Sequence, residues 1–185
     1  LGLSFARTAA ATGQSSENLA KTLSVMESIS GASRDVLLNQ IRANAAMIEA
    51  AGVAPSKVMS DIAENAEFFA TFARDGGDNL FAAATQALKL GTSLSTVANT
   101  AKGLLDFETS IEKQLEASVL LGRQLNLDRA RQLAFTGDIE GLQKEILRQV
   151  GSEAEFNKMN FVQREALAGA LSMSVEELAR TVRSG

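Results

Sequence analysis

The sequence predicts an all-α chain, and three observations carry that expectation. Apolar residues recur at helical spacing along most of the 185 residues. No window of alternating β-branched residues marks a strand. Glycines and short Ser/Asn/Asp clusters fall where helices should stop and start. The pattern describes a multi-helix array of short to medium helices joined by tight αα-corners. It divides into an N-terminal helical part over 1–103 and a C-terminal part over 104–185, or forms one continuous helical segment.

Helices are expected at about 16–30, 34–51, 56–73, 78–90, 94–103, 107–121, 127–135, 138–150, 160–170 and 175–183. Val58, Ile62, Phe69 and Ala73 share one stripe, with Asp61, Glu64 and Glu67 off it. Phe107, Ile111, Leu115 and Val119 repeat at i+4, leaving Glu108, Glu112, Lys113 and Glu116 on other faces. Leu142, Ile146 and Val150 form a third stripe. Gly31, Gly52, Gly91, Gly122 and Gly151 each follow an apolar run, where a left-handed residue ends a helix. Pro55 suits a first helical turn, where its missing N–H costs nothing. Ser174 with Glu177 makes a capping-box pattern before Leu178. A helix end, a short turn and a polar cap recur near residues 52–58, 91–98, 125–130 and 173–179. Their separations are unequal, so this is shared turn chemistry rather than a solenoid repeat.

Composition narrows the chemistry. The chain has no His, Cys, Trp or Tyr, one proline and nine Phe. Without His and Cys, zinc sites, Ser-His or Cys-His triads, thiol chemistry and haem ligation by either residue are excluded. Carboxylate pairs, Lys chemistry and oxygen-ligated Mg or Ca stay open. The expectation is a structural or interaction protein, not an enzyme, with no cofactor and no small-molecule substrate. Net charge is −4, and there is no basic half or polybasic tail, which argues against nucleic acid as the main partner. No apolar run approaches a membrane span and no signal peptide is visible. The chain begins at Leu1 rather than Met, as expected of a piece of a longer protein.

Four features invite a chemical reading. Glu108, Glu112 and Glu116, with Asp106, make an acidic helical stripe interrupted by Lys113. A solvated face explains them better than a metal site. Asp75-Gly76-Gly77-Asp78-Asn79 lacks the ligand spacing of a calcium loop and reads as a helix break with Asp78 capping the next helix. Residues 164–183 resemble a helix-turn-helix, but the second helix opens with Glu176 and Glu177, which would meet phosphates as like charges. Alanine-rich faces at Ala43–Ala51 and Ala82–Ala84 permit close helix approach, within a domain or between copies.

From Leu104 the string LLDFETSIEKQLEASVLLGRQLNLDRARQLAFTGDIEGLQKEILRQVGSEAEFNKMN resembles a segment of tail tape-measure proteins of tailed bacteriophages. The resemblance extends upstream through SKVMSDIAENAEFFATFARDGGDNL and downstream through FVQREALAGALSMSVEELARTV, about two-thirds or more of the chain. It implies a long helical virion protein that fills the tail-tube lumen. Its length would set tube length during assembly in the host cytoplasm, and it would be expelled before DNA ejection. The implied partners are tail-tube and baseplate hub proteins and copies of the chain itself, as a trimer or hexamer. The frequent glycine breaks fit a folded helical segment rather than a continuous coiled coil. The rival expectations are a cytosolic helical adaptor or regulator using the C-terminal hairpin, and an enzyme working through carboxylates alone. The residues expected to carry protein contacts are Phe107, Ile111 and Leu115, with Phe68, Phe69 and Phe72 as a second patch.

Overall fold

The computed structural model describes residues 2–184. Among the described residues there are thirteen α-helices, one 3-10 turn and no strand, which places the chain in the all-α class. Packing divides it into two units between Leu88 and Lys89. The division expected at 103/104 falls inside a helix, α7 (Leu94–Leu105), which packs on the helices that follow it and so belongs to the C-terminal unit.

The N-terminal unit contains α1 (Gly2–Thr12), α2 (Ser16–Ser30), α3 (Arg34–Ala50), α4 (Pro55–Glu64), α5 (Ala66–Phe72) and nearly all of α6 (Asp78–Lys89). Ser15 caps α2, its hydroxyl accepting from the Asn18 N–H at 3.2 Å, and Pro55 occupies the first turn of α4. Leu37, Leu38, Ile41, Ala45 and Ile48 form the buried stripe of α3. They share a core with Leu19, Leu23, Met26, Val58, Met59, Ile62, Leu80 and Phe81. The helix expected over 56–73 is two helices. At Asn65 the backbone leaves helical geometry (φ −114, ψ 41), and its side-chain amide donates to the Asp61 carbonyl at 2.7 Å.

The break turns α5 inward and corrects the second expected interaction patch. Phe68, Phe69 and Phe72 are all buried, and the Phe68 and Phe72 rings lie 4.6 Å apart. These three rings are internal packing, not a docking surface. Beyond them the 3-10 turn Asp75–Gly77 is held to α3: Gln40 donates to the Gly76 carbonyl, and Gln40 and Asn44 both donate to the Asp78 carboxylate at 2.8 Å. Gly77 sits directly against the Phe69 ring with φ +97. An added Cβ would overlap the ring and strain the backbone at once.

The C-terminal unit follows with α7, α8 (Phe107–Leu121), α9 (Asp128–Thr136), α10 (Ile139–Val150), α11 (Glu153–Lys158), α12 (Phe161–Ala170) and α13 (Val175–Ser184). Its core gathers Leu94, Ala101 and Leu104 of α7 with Ala130, Ala134, Leu142, Ile146, Val150, Leu167, Leu171 and Leu178. Leu125 and Leu127, in the loop before α9, are fully buried. The capping box expected at Ser174 and Glu177 is formed in both directions. Two more start α11 (Ser152 with Glu155) and α12 (Asn160 with Gln163). Gly103 of α7 abuts the Ser172 side chain in the turn after α12, where any larger residue would collide.

Replacing Gly77 with Ala is expected to lower stability by about 2–4 kcal/mol, through positive-φ strain and overpacking together. Urea denaturation followed by circular dichroism checks this, and a midpoint equal to the parent's would disprove the close packing of Phe69 on the turn.

Candidate protein-interaction site

Helix α8 is apolar on the wrong side for a surface helix. Phe107, Ile111, Leu115 and Val119 are 50, 47, 59 and 80% exposed. At 100° per residue a step of four advances 40°, so the four make one slowly winding ridge. The face turned into the protein carries Ser110, Gln114, Ala117 and Ser118, of which Ser110 and Ala117 are buried.

The inner face is polar because of what lies beneath it. Arg131 of α9 is a buried arginine, its side chain only 7% exposed. Its Nε donates to Ser110 Oγ at 3.0 Å, one terminal nitrogen donates to Gln114 Oε1 at 2.7 Å, and the other to Asp128 at 2.8 Å. Gln114 Oε1 also accepts from the Leu127 N–H at 3.2 Å, and Ser118 Oγ from the Leu125 N–H at 3.0 Å. The loop that buries Leu125 and Leu127 is thus hydrogen-bonded to the inner face of α8. At the start of that loop, Arg123 donates to the Gln149 carbonyl at 2.7 Å.

On its other flank α8 packs along α12. Gln163 donates to the Leu120 carbonyl at 3.0 Å, closing the end of α8. A shallow groove of about 220 Å³ runs between the two helices, lined by Lys113, Glu116, Leu120, Val162, Ala166 and Gly169 among others. Val162, at the start of α12, is exposed and lines this groove with Leu120, so the apolar surface continues from the C-terminal end of α8 onto α12, and the preceding Phe161 is exposed as well. Of the six residues expected to carry contacts, Phe107, Ile111 and Leu115 lie together on this surface. Val119, Phe161 and Val162 complete it.

Other concavities in this unit offer less. A cavity of about 20 Å³ among Thr92, Thr96, Thr100, Ile146 and Met173 has the size of one water molecule. A wide polar basin surrounds Glu145, whose carboxylate is matched by its neighbours. Arg148 donates to it at 2.6 and 3.0 Å and holds its pKa below the ordinary 4.5; burial opposes, while Gln149 and Arg129 assist. Such a carboxylate is a poor proton acceptor. In the α12–α13 hairpin, Glu177 accepts from Thr96 of α7 at 2.7 Å, which ties the first turn of α13 to the unit's interior. Burial pushes the Glu177 pKa up, but bonds from the Ser174 N–H, Thr96 and the Ser174 hydroxyl outweigh it, and the net shift is downward. Among the described residues no three carboxylates converge as metal ligands, and no helix is long and apolar enough to cross a membrane.

Comparison with known families, curated proteins and solved structures found no match to this chain.

Two outcomes follow from this geometry. Leu115→Ser and Val119→Ser together should change stability by no more than about 1 kcal/mol, because both side chains already face solvent. Arg131→Ala should cost about 3 kcal/mol, since it leaves Ser110 and Gln114 without their buried donor. Denaturant midpoints distinguish the two, and the reverse ranking would show that α8 is not turned as described. The second outcome concerns pH. Glu145 and Glu177 have depressed pKa values in the folded chain, so the unfolded chain takes up their protons first as pH falls below about 4.5. Stability from these groups is complete above that value and is lost as pH falls through the folded values. Glu145→Gln should flatten the acid limb of a melting-temperature profile between pH 5 and pH 3, and an unchanged limb would exclude Glu145 as a contributor.

Proposed function

We propose that this chain is a structural segment of a tailed-phage virion, tape-measure-like, which occupies the tail tube or baseplate region and takes part in setting tail length during assembly. It works by protein contact and not by catalysis, with no cofactor or small-molecule substrate. Its partners are tail-tube and baseplate hub proteins and neighbouring copies of the chain, as a trimer or hexamer, and nucleic acid is not among them. It is made in the host cytoplasm and carried in the tail lumen.

The observation that carries an assembly role is the outward apolar ridge of α8 above a polar inner face. A surface helix of a free-standing domain normally turns its apolar stripe inward, and contiguous exposed patches of several hundred Å² mark interaction sites. The ridge lies inside the segment that resembles tape-measure proteins, so the resemblance and the geometry point to the same residues. The all-helical architecture agrees with that reading.

Mass spectrometry of purified virions tests the proposal together with electron microscopy of their tails. Peptides from residues 104–160 should be present in intact particles, and an in-frame deletion within the parent gene should shorten the tails. Absence of the chain from purified virions, or tails of unchanged length, would overturn it.

A further inference from the structure

We propose that the α8 ridge receives a single amphipathic helix of a partner protein, whose apolar stripe is edged by lysine or arginine. This rests on the reading of α8 as an assembly face and names the chemistry of what covers it.

The shape of the ridge selects a helix. Phe107, Ile111, Leu115 and Val119 follow one i±4 row, and the matching row of a facing helix interlocks with it at a crossing near −50°. The same row drifts out of a heptad seam within a few turns, so a long parallel coiled coil is not the geometry on offer.

Charge selects the partner's edge. Glu108, Glu112 and Glu116 each follow a ridge residue by one position, so an acidic row runs alongside the apolar row. Glu165 on α12 lines the same groove as Glu116, with Lys113 the cation that lines it, and Asp106 lies at the start of α8. Elsewhere in this unit five acidic side chains meet cations: Asp128 meets Arg131, Glu140 meets Lys144, Glu145 meets Arg148, Glu153 meets Arg183 and Glu176 meets Arg180, while Asp138, Glu155 and Glu177 accept from backbone N–H or hydroxyl groups. Among the described residues, no ion pair involves Glu108, Glu112, Glu116 or Glu165. The acidic row therefore has its cations still to gain, and a basic-edged helix supplies them.

A second copy of the chain fits less well. In an antiparallel two-fold pairing through α8, both acidic rows lie on the same side of the interface and repel. The exposed ridge is a single row of four side chains, small beside the roughly 800 Å² that each partner in a stable dimer buries. An anionic bilayer surface is repelled by the same carboxylates, since interfacial helices carry Lys and Arg where α8 carries Glu.

The test uses the full chain and two designed helical peptides. Each peptide carries Leu at i, i+4, i+8 and i+12, one with Lys and the other with Glu along the neighbouring row. Fluorescence-anisotropy titrations should show the Lys peptide binding at least about tenfold tighter at 50 mM NaCl, with most of that preference lost at 500 mM. Leu115→Ser should abolish binding. The triple change Glu108→Lys, Glu112→Lys, Glu116→Lys should invert the preference toward the Glu peptide. All these positions are exposed, and unchanged melting curves will show that the fold survives. Equal binding of the two peptides, or binding indifferent to Leu115→Ser, overturns the proposal. A dimer seen in sedimentation equilibrium and lost with Leu115→Ser also overturns it, by making a second copy the occupant, yet leaves α8 as an assembly face. No binding of either peptide, no dimer and normal virion assembly with Leu115→Ser would remove both the proposal and the reading beneath it.

Discussion

A buried guanidinium organises the C-terminal unit. Taking an arginine out of water costs several kcal/mol unless its donors find acceptors. Arg131 finds them in Ser110, Gln114 and Asp128. Two of the three lie on the inner face of α8, so that face must be polar there and cannot also hold the large apolar residues of the helix. The same Gln114 oxygen and the Ser118 hydroxyl accept from the loop that places Leu125 and Leu127 in the core. The ion thus fixes the rotation of α8 about its axis and the path into α9, and it leaves Phe107, Ile111, Leu115 and Val119 facing outward.

Periodicity made most of the helices legible, because a buried stripe of Leu, Ile and Val at helical spacing has one natural reading. The stripe of α10, Leu142, Ile146 and Val150, is buried as its spacing implies. Helix α1 escaped that reading because its buried residues are Thr8, Ala9 and Thr12, which leave no large apolar stripe to count. Helix α11 is six residues long, shorter than two turns, and only its Ser152–Glu155 capping box marks it. The break at Asn65 was hidden because nothing in 56–73 is a strong breaker. The side-chain bond to the Asp61 carbonyl does the breaking, and local competition of this kind is weakly encoded by residue type.

The site shows the same limit more sharply. Spacing reveals that a helix has an apolar face but not whether that face points in or out. The Phe107 ridge and the Phe68–Phe72 cluster look alike as strings, and the structure sends one outward and the other into the core. What separates them is the company each face keeps. Along the inner flank of the ridge stand Ser110, Gln114 and Ser118, and one loop away an arginine sits among the apolar residues Ala130, Leu133 and Ala134. A polar row on one helix together with a lone arginine on the interior face of the next is the sequence signal for an inverted helix, although it takes the fold to bring the two together.

An inverted helix has a consequence for binding. Most surface helices owe their place to the apolar stripe, so a partner that wants the stripe must first pull the helix off its own core. Helix α8 is held from within by hydrogen bonds to Arg131 and the 122–127 loop, and at its end by Gln163. Its ridge side chains are about half or more exposed and take no part in those hydrogen bonds, so covering the ridge leaves the bonds intact. Docking then costs the loss of side-chain rotamers, about 0.5–1.5 kcal/mol for each immobilised side chain, together with the lost translational and rotational freedom of the partner. Phe, Ile and Val have few rotamers to lose. The polar anchoring beneath α8 and the apolar ridge above it are therefore one arrangement: the first holds the helix in place so that the second stays preformed for a partner.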